Sequence, residues 1–206
     1  MNIGFVNQKG GVGKTTLAIL FADYLQNREL NPVCLDFDVQ GSLYEKWKVA
    51  TSLIEEDPDI YVIKCELNDS KQILEEARNS DQLVLFDLPG SLDNPNIQEV
   101  LEEMDLMICP FLYEPISFQS TLIFAEIMKE IDIKSNITFV PNMVKTNVRY
   151  DIKDNVRKEL ERFGSIAPEI KDLVNMQRID FFNITENSTS TVENTFFFIE
   201  DKYLNT

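Results

Sequence analysis

The segment KGGVGKTT, residues 9–16, constrains this chain more than any other stretch of its sequence. It follows an apolar run, NIGFVN at residues 2–7, and opens a helical pattern from about Lys14 to Arg28. Gly10, Gly11 and Gly13 permit positive φ and a close approach of backbone to ligand. The consecutive N–H groups of Gly10, Gly11, Val12, Gly13, Lys14, Thr15 and Thr16, together with the helix N-terminus, aim partial positive charge at one point. A phosphate fits there. Lys14 is then placed to neutralise β- and γ-phosphate oxygens of ATP, and Thr15 to set its hydroxyl on Mg²⁺. If the loop were an incidental glycine-rich turn, Lys14→Ala would leave ATP affinity unchanged.

The rest of the chain repeats the strand-then-helix arrangement. Apolar runs at 33–37, 60–64, 82–87, 105–110 and 136–141 read as further strands, and helical patterns fall at about 69–78, 95–104, 117–130, 148–163 and 189–204. Runs without polar alternation are buried on both faces. Alternating with helices, they predict an α/β fold: a mostly parallel, twisted sheet with helices on both faces, built on a P-loop. No linker or internal repeat divides the sequence, so residues 1–206 are expected to form one domain.

Composition removes several chemistries. The 206 residues include no histidine, which excludes a His general base, a Ser-His-Asp triad and His-ligated zinc. Cys34, Cys65 and Cys109 are far apart in apolar runs and read as buried free thiols. The formal charge of −16 is wrong for a generic nucleic-acid binder. No basic leader precedes an apolar stretch, and no apolar run approaches the roughly 20 residues a membrane span needs, so a cytoplasmic protein is expected.

A second acidic site supports the phosphate loop. In FDLPG, residues 86–90, an aspartate ends an apolar strand, the Walker B arrangement. Asp87 is expected to hold Mg²⁺ through water, and Pro89-Gly90 to form a turn that senses the γ-phosphate.

The loop departs from the general G-x-x-x-x-G-K-T pattern: Gln8 stands at the first glycine and Lys9 follows it. NQKGGVGKTT, residues 7–16, resembles the deviant Walker A sequence of the ParA/MinD family of dimerising ATPases, and the compact length resembles its short ParA group. The resemblance implies that Lys9 reaches across a dimer interface to the partner's ATP. A lysine there would stabilise charge spreading onto the γ-phosphate oxygens. DFDVQGSL, residues 36–43, is similar to the family's D-x-D-P-Q stretch, with Val39 in place of the proline. By that likeness Asp38 positions the attacking water and Asp36 is a carboxylate behind the Mg²⁺ ligands; Trp47 also fits. A carboxylate is a weak base at neutral pH, so Asp38 is expected to orient water and turnover to be slow.

Of the later segments, Asn142 and the basic residues of 142–178 each leave two readings. Asn142, in VPNMV, is either part of a strand-ending turn or, by resemblance, the residue that reads adenine. CPFLYEPISF, residues 109–118, resembles the segment bordering the nucleotide and dimer interface, and Ser117 receives no role. FFFIEDKYL, residues 196–204, lacks the basic charge of a MinD membrane helix and is expected to pack on the core, so no stable membrane binding is expected. Residues 142–178 hold eight Lys/Arg and six Asp/Glu, unlike the acidic remainder. There Lys145, Arg149, Lys153 and Arg157 recur every fourth residue, with Lys158 and Arg162 extending the surface. They form either a solvated face of mixed charge or a sequence-independent contact with DNA phosphates.

The resemblance thus implies an ATPase that forms a homodimer with ATP and Mg²⁺, binds non-specific DNA and so associates with the nucleoid. A ParB-like partner releases it, and its cargo is a plasmid or another mobile element. A MinD-like membrane-surface ATPase, a positioning ATPase that uses neither DNA nor lipid, and a nitrogenase-reductase-like iron–sulfur protein are the rivals.

Overall fold

The structure, a computed structural model, describes residues 1–53, 57–173, 176, 179–181 and 183–205. The apolar runs become strands β1 (Asn2–Phe5), β2 (Val33–Asp36), β3 (Tyr61–Lys64), β4 (Val84–Asp87), β5 (Leu106–Phe111) and β6 (Asn136–Pro141). With β7 (Ser165–Ile166) they form one sheet in the order β3-β2-β4-β1-β5-β6-β7, and every pairing is parallel. Helices α1 (Lys14–Gln26), α2 (Ser42–Thr51), α3 (Ser70–Arg78), α4 (Asn96–Glu102), α5 (Pro115–Glu130), α6 (Lys153–Leu160) and α7 (Glu186–Tyr203) cover it.

Successive strand residues serve opposite layers, as the two-residue period of a strand requires. Cys34, Leu85 and Ile108 pack with α1, α2 and α7, including Leu17, Phe21, Leu43 and Phe196. Leu35, Phe86 and Met107 pack with α3 to α6, including Leu74, Val100, Phe124 and Leu160. The helices therefore lie on both faces of the sheet, as the sequence implies.

Five elements differ from expectation. β3, expected to be buried on both faces, buries only Val62, because it lies at the edge of the sheet with one face uncovered. The helix α2 carries only two fully buried residues, Leu43 and Ala50, so its apolar period is faint. β7 is two residues long, below the reach of any pattern. It enters so tightly that a Cβ on Gly164 would lie 2.1 Å from the Ile137 carbonyl oxygen. The helix expected over 148–163 shortens to Lys153–Leu160 because residues before it turn. The Lys145 N–H donates to the Tyr150 hydroxyl at 3.0 Å, and the Lys153 N–H donates to the Tyr150 carbonyl at 3.1 Å. Lys145 and Arg149 thus precede the helix, and only Lys153 and Arg157 of that series share its face. The terminal helix begins earlier than 189 because Thr185 and Ser188 form a capping box with serine in place of the usual Glu or Gln.

The aromatic tail packs inward. Phe196 meets Phe21 at 4.9 Å and Tyr24 at 5.4 Å between ring centroids, and Glu200 accepts from the Tyr24 hydroxyl and pairs with Arg28. Among the described residues no helix is long and apolar enough to cross a membrane.

Candidate nucleotide site

The loop after β1 lies at the carboxyl end of the sheet, where the strand order departs in both directions from β1. Open α/β sheets place ligands at such a crevice. Asn7 fixes the start of the loop. Its Nδ2 donates to the Pro110 carbonyl at 2.8 Å and to Thr121 Oγ1 at 2.9 Å, while its Oδ1 accepts from the Lys9 N–H at 2.9 Å. This buried residue, which the sequence reading overlooked, locks the loop to β5 and α5. Its signal was an asparagine between an apolar strand and a glycine-rich loop.

The other end of the loop is held by Gly13 and Asn142. Gly13 has φ 99°, and a Cβ there would lie 2.3 Å from Asn142 Nδ2. Glycine is required on both counts. Asn142 donates to the Val12 carbonyl at 2.8 Å and accepts from the Met143 N–H at 2.9 Å. The asparagine is buried and braces the phosphate loop.

Lys14, Thr15, Asp36, Asp38 and Asp87 converge beneath the loop. β2 and β4 pair in register at Asp36 and Asp87, and β1 meets β4 at Phe5 and Asp87. Thr15 Oγ1 donates to Asp87 Oδ2 at 2.6 Å. Asp87 Oδ1 is buried and has no hydrogen-bond partner. Burial pushes this carboxyl up to about 7; repulsion from Asp36 and Asp38 adds to the rise, while the Thr15 hydrogen bond and the Lys14 charge oppose it. A hydroxyl and a carboxylate side by side, with one orphaned oxygen, make a donor set suited to a hydrated Mg²⁺. Lys14 is buried, and its Nζ lies 3.7 Å from where a Gly90 Cβ would sit. The ammonium therefore spans from the loop to the Pro89-Gly90 turn.

Asp36 faces inward. Its oxygens accept N–H bonds from Asp38 at 3.1 Å and Tyr44 at 2.9 Å, and burial raises its carboxyl above the ordinary range. It thereby shapes the loop that carries Asp38. Asp38 is half-buried and accepts from the Gln40 N–H at 2.9 Å. Val39, at the expected proline position, is 82% exposed. Lys9 is half-buried, and Gly10 and Gly11 are exposed.

The remaining candidates are spread out. Ser117 is buried, and its Oγ accepts from the Leu112 N–H at 3.0 Å. The basic residues are partly neutralised: Arg149 pairs with Asp151 at 3.3 Å, Arg162 with Glu159 at 2.7 Å, and Lys153 with Glu169. Arg178, within the basic window, lies outside the described residues. The three cysteines are buried free thiols, all raised by burial, Cys65 to about 12.

Comparison with known proteins agrees with this fold. The Soj chromosome-partitioning ATPase of Treponema pallidum (strain Nichols) is 34% identical over 102 residues, 49% of this chain. The match spans only 37% of that relative's length. A plasmid partition protein from Borrelia burgdorferi B31, solved bound to AMPPNP, has the same fold, with a TM-score of 0.77 over 98% of both chains at 18% identity. A chain of the MinC:MinD cell division protein complex of Aquifex aeolicus has a TM-score of 0.76 over 97% of this chain and 95% of that one, at 15% identity. The model of the CobQ/CobB/MinD/ParA nucleotide binding domain matches residues 3–183, and the chain belongs to that family.

Proposed function

We propose that residues 1–206 work as one ParA-type ATPase that binds Mg-ATP, pairs as a homodimer, hydrolyses ATP slowly and positions plasmid or mobile-element DNA. The observation that carries this reading is the meeting of Thr15 and Asp87 at 2.6 Å beneath the glycine-rich loop, with the second Asp87 oxygen orphaned. Residues 10–16 cradle the phosphates through backbone N–H groups, and Lys14 neutralises their oxygens. Thr15 and Asp87 would hold Mg²⁺. Bound Mg²⁺ supplies charge neutralisation at the β- and γ-phosphates. Asp38 orients the attacking water, and Asp36 fixes the Asp38 loop. Lys9 completes the site of the second copy, where its ammonium stabilises the charge of the transition state. Asn142 braces the loop from below and stands beside the adenine position.

The DNA part of the proposal rests on Lys145, Arg149, Lys153, Arg157, Lys158 and Arg162. Two copies present this surface twice, so weak contacts add. A ParB-like partner stimulates hydrolysis and releases the dimer, which is nucleoid-associated with ATP and otherwise cytoplasmic. A MinD-like membrane role has less support, since α7 gives its aromatic side to α1 and carries Glu200 and Asp201 against Lys202.

Fluorescence anisotropy of a random-sequence DNA duplex tests the switch. With Asp38→Ala protein, binding is expected with ATP and not with ADP, and is expected to weaken as salt rises. Equal affinity in both nucleotides would refute a nucleotide-gated DNA contact.

A further inference from the structure

The two edges of the sheet are unlike. β7 is two residues long, and the Tyr203 hydroxyl bonds the side chains of Ser165 at 2.7 Å and Thr138 at 3.0 Å beside it. β3 at the other edge is four residues long, holds no proline, and no strand among the described residues pairs with its outer side. Natural sheets usually shorten, charge or cover such edges, because their free N–H and C=O groups template another strand.

The side chains of β3 leave it open as well. Val62 is buried beneath α2, but Tyr61 and Ile63, on the other face, are 50% and 52% exposed. α3 packs against α4 and the turn at Leu67–Asp69 and leaves these two side chains half-exposed. A cleft of about 170 Å³ results, lined by Val33, Leu35, Ile63, Cys65, Ile73 and Ala77, with Glu76, Ser80 and Gln82 at its rim. A dry cavity of about 150 Å³ accepts a benzene-sized group, so this cleft has room for an aliphatic side chain.

The charge around the edge selects the occupant. Residues 57–82 hold seven carboxylates, Asp57, Asp59, Glu66, Asp69, Glu75, Glu76 and Asp81, against three cations. Two of those cations, Lys71 and Arg78, are engaged by Glu99 and Glu103 from outside this span. A second copy of the same edge would bring acid against acid, and like charges across a contact disfavour pairing. A cationic strand would be drawn in.

We propose that β3 and the cleft beside it dock an extended peptide of a partner protein, with alternating apolar and Lys/Arg residues, which adds to the sheet as an eighth strand. Its backbone would satisfy the free edge of β3. Its apolar side chains would meet Tyr61, Ile63 and the cleft, and its cations the surrounding carboxylates. The proposal stands apart from the ATPase reading, and Tyr61 and Ile63 are outside the nucleotide site.

A synthetic ten-residue peptide alternating valine and lysine tests it, alongside the same sequence with alternate backbone amides N-methylated. The methylated peptide keeps its charge and apolar groups but cannot pair along the edge. The unmethylated peptide is expected to bind, to protect the amides of Val62 and Lys64, which face away from β2, from hydrogen exchange, and to lose at least about tenfold in affinity on methylation or with Ile63→Lys protein. Binding of both peptides with similar affinity would mean general charge attraction to an acidic protein and would overturn the proposal. So would protection that appears only elsewhere, or no binding. Self-association that disappears with Ile63→Lys would assign the edge to a second copy and would overturn it too.

Discussion

Asp87 sits between two demands at the residue scale. It must be an anion to hold a cation, yet the site buries it beside Asp36 and pushes it up to about 7 from 3.8. Below about pH 4 the carboxyl is protonated in both folded and unfolded chains. As pH rises toward 7, the unfolded carboxyl ionises first while the folded one retains its proton, so stability is lost across this window. Asp87→Asn cannot lose it. The stability of Asp87→Asn relative to the unsubstituted protein, both nucleotide-free, is therefore expected to grow from pH 4 to 7, by at most about 4 kcal/mol, and then level off. Urea unfolding across that range measures the gap; a gap independent of pH would contradict the assigned environment. Lys14→Ala is expected to abolish ATP binding in a direct titration while leaving the fold intact, because its ammonium spans from the loop to the Gly90 turn. Unchanged ATP affinity would return the loop to an ordinary turn.

At the scale of elements, α7 is a structural member of the molecule. Phe196 is fully buried between Phe21 and Tyr24, so Phe196→Ala is expected to cost about 3–5 kcal/mol in denaturant unfolding. A loss under about 1 kcal/mol would mean that the helix is only loosely docked. The elements also explain what the sequence could reveal. The six longer strands were legible because apolar residues dominate each of them, and the phosphate loop because three glycines, a lysine and a threonine fall between a strand and a helix. Two buried side chains in ten residues do not mark α2, and nothing local marks β7, which depends on Gly164 passing under Ile137. The spacing of Lys145 to Arg157 suggested one helix, but Tyr150 ties residues 145–153 into a turn. Asn7 acts through Pro110 and Thr121, more than a hundred residues away, a contact that only the folded sheet creates.

The whole molecule is strongly acidic, and its function as proposed requires two copies to meet. At −16 each, they repel in the absence of a reason to close. In the proposed dimer Lys9 would supply that reason by compensating the γ-phosphate bound to the other copy. The same acidity would confine the proposed DNA contact to residues 142–178, where cations gather, and the pairs of Arg149, Lys153 and Arg162 with nearby acids reduce the field there. DNA binding should therefore be weak per copy and depend on pairing.

Nucleotide-driven pairing is the centre of this account, and sedimentation velocity measures it most directly. Asp38→Ala protein with Mg-ATP is predicted to sediment as a dimer, and as a monomer with Mg-ADP; adding Lys9→Ala should return the ATP form to a monomer. A monomer in both nucleotides, or an ATP dimer indifferent to Lys9, would contradict it.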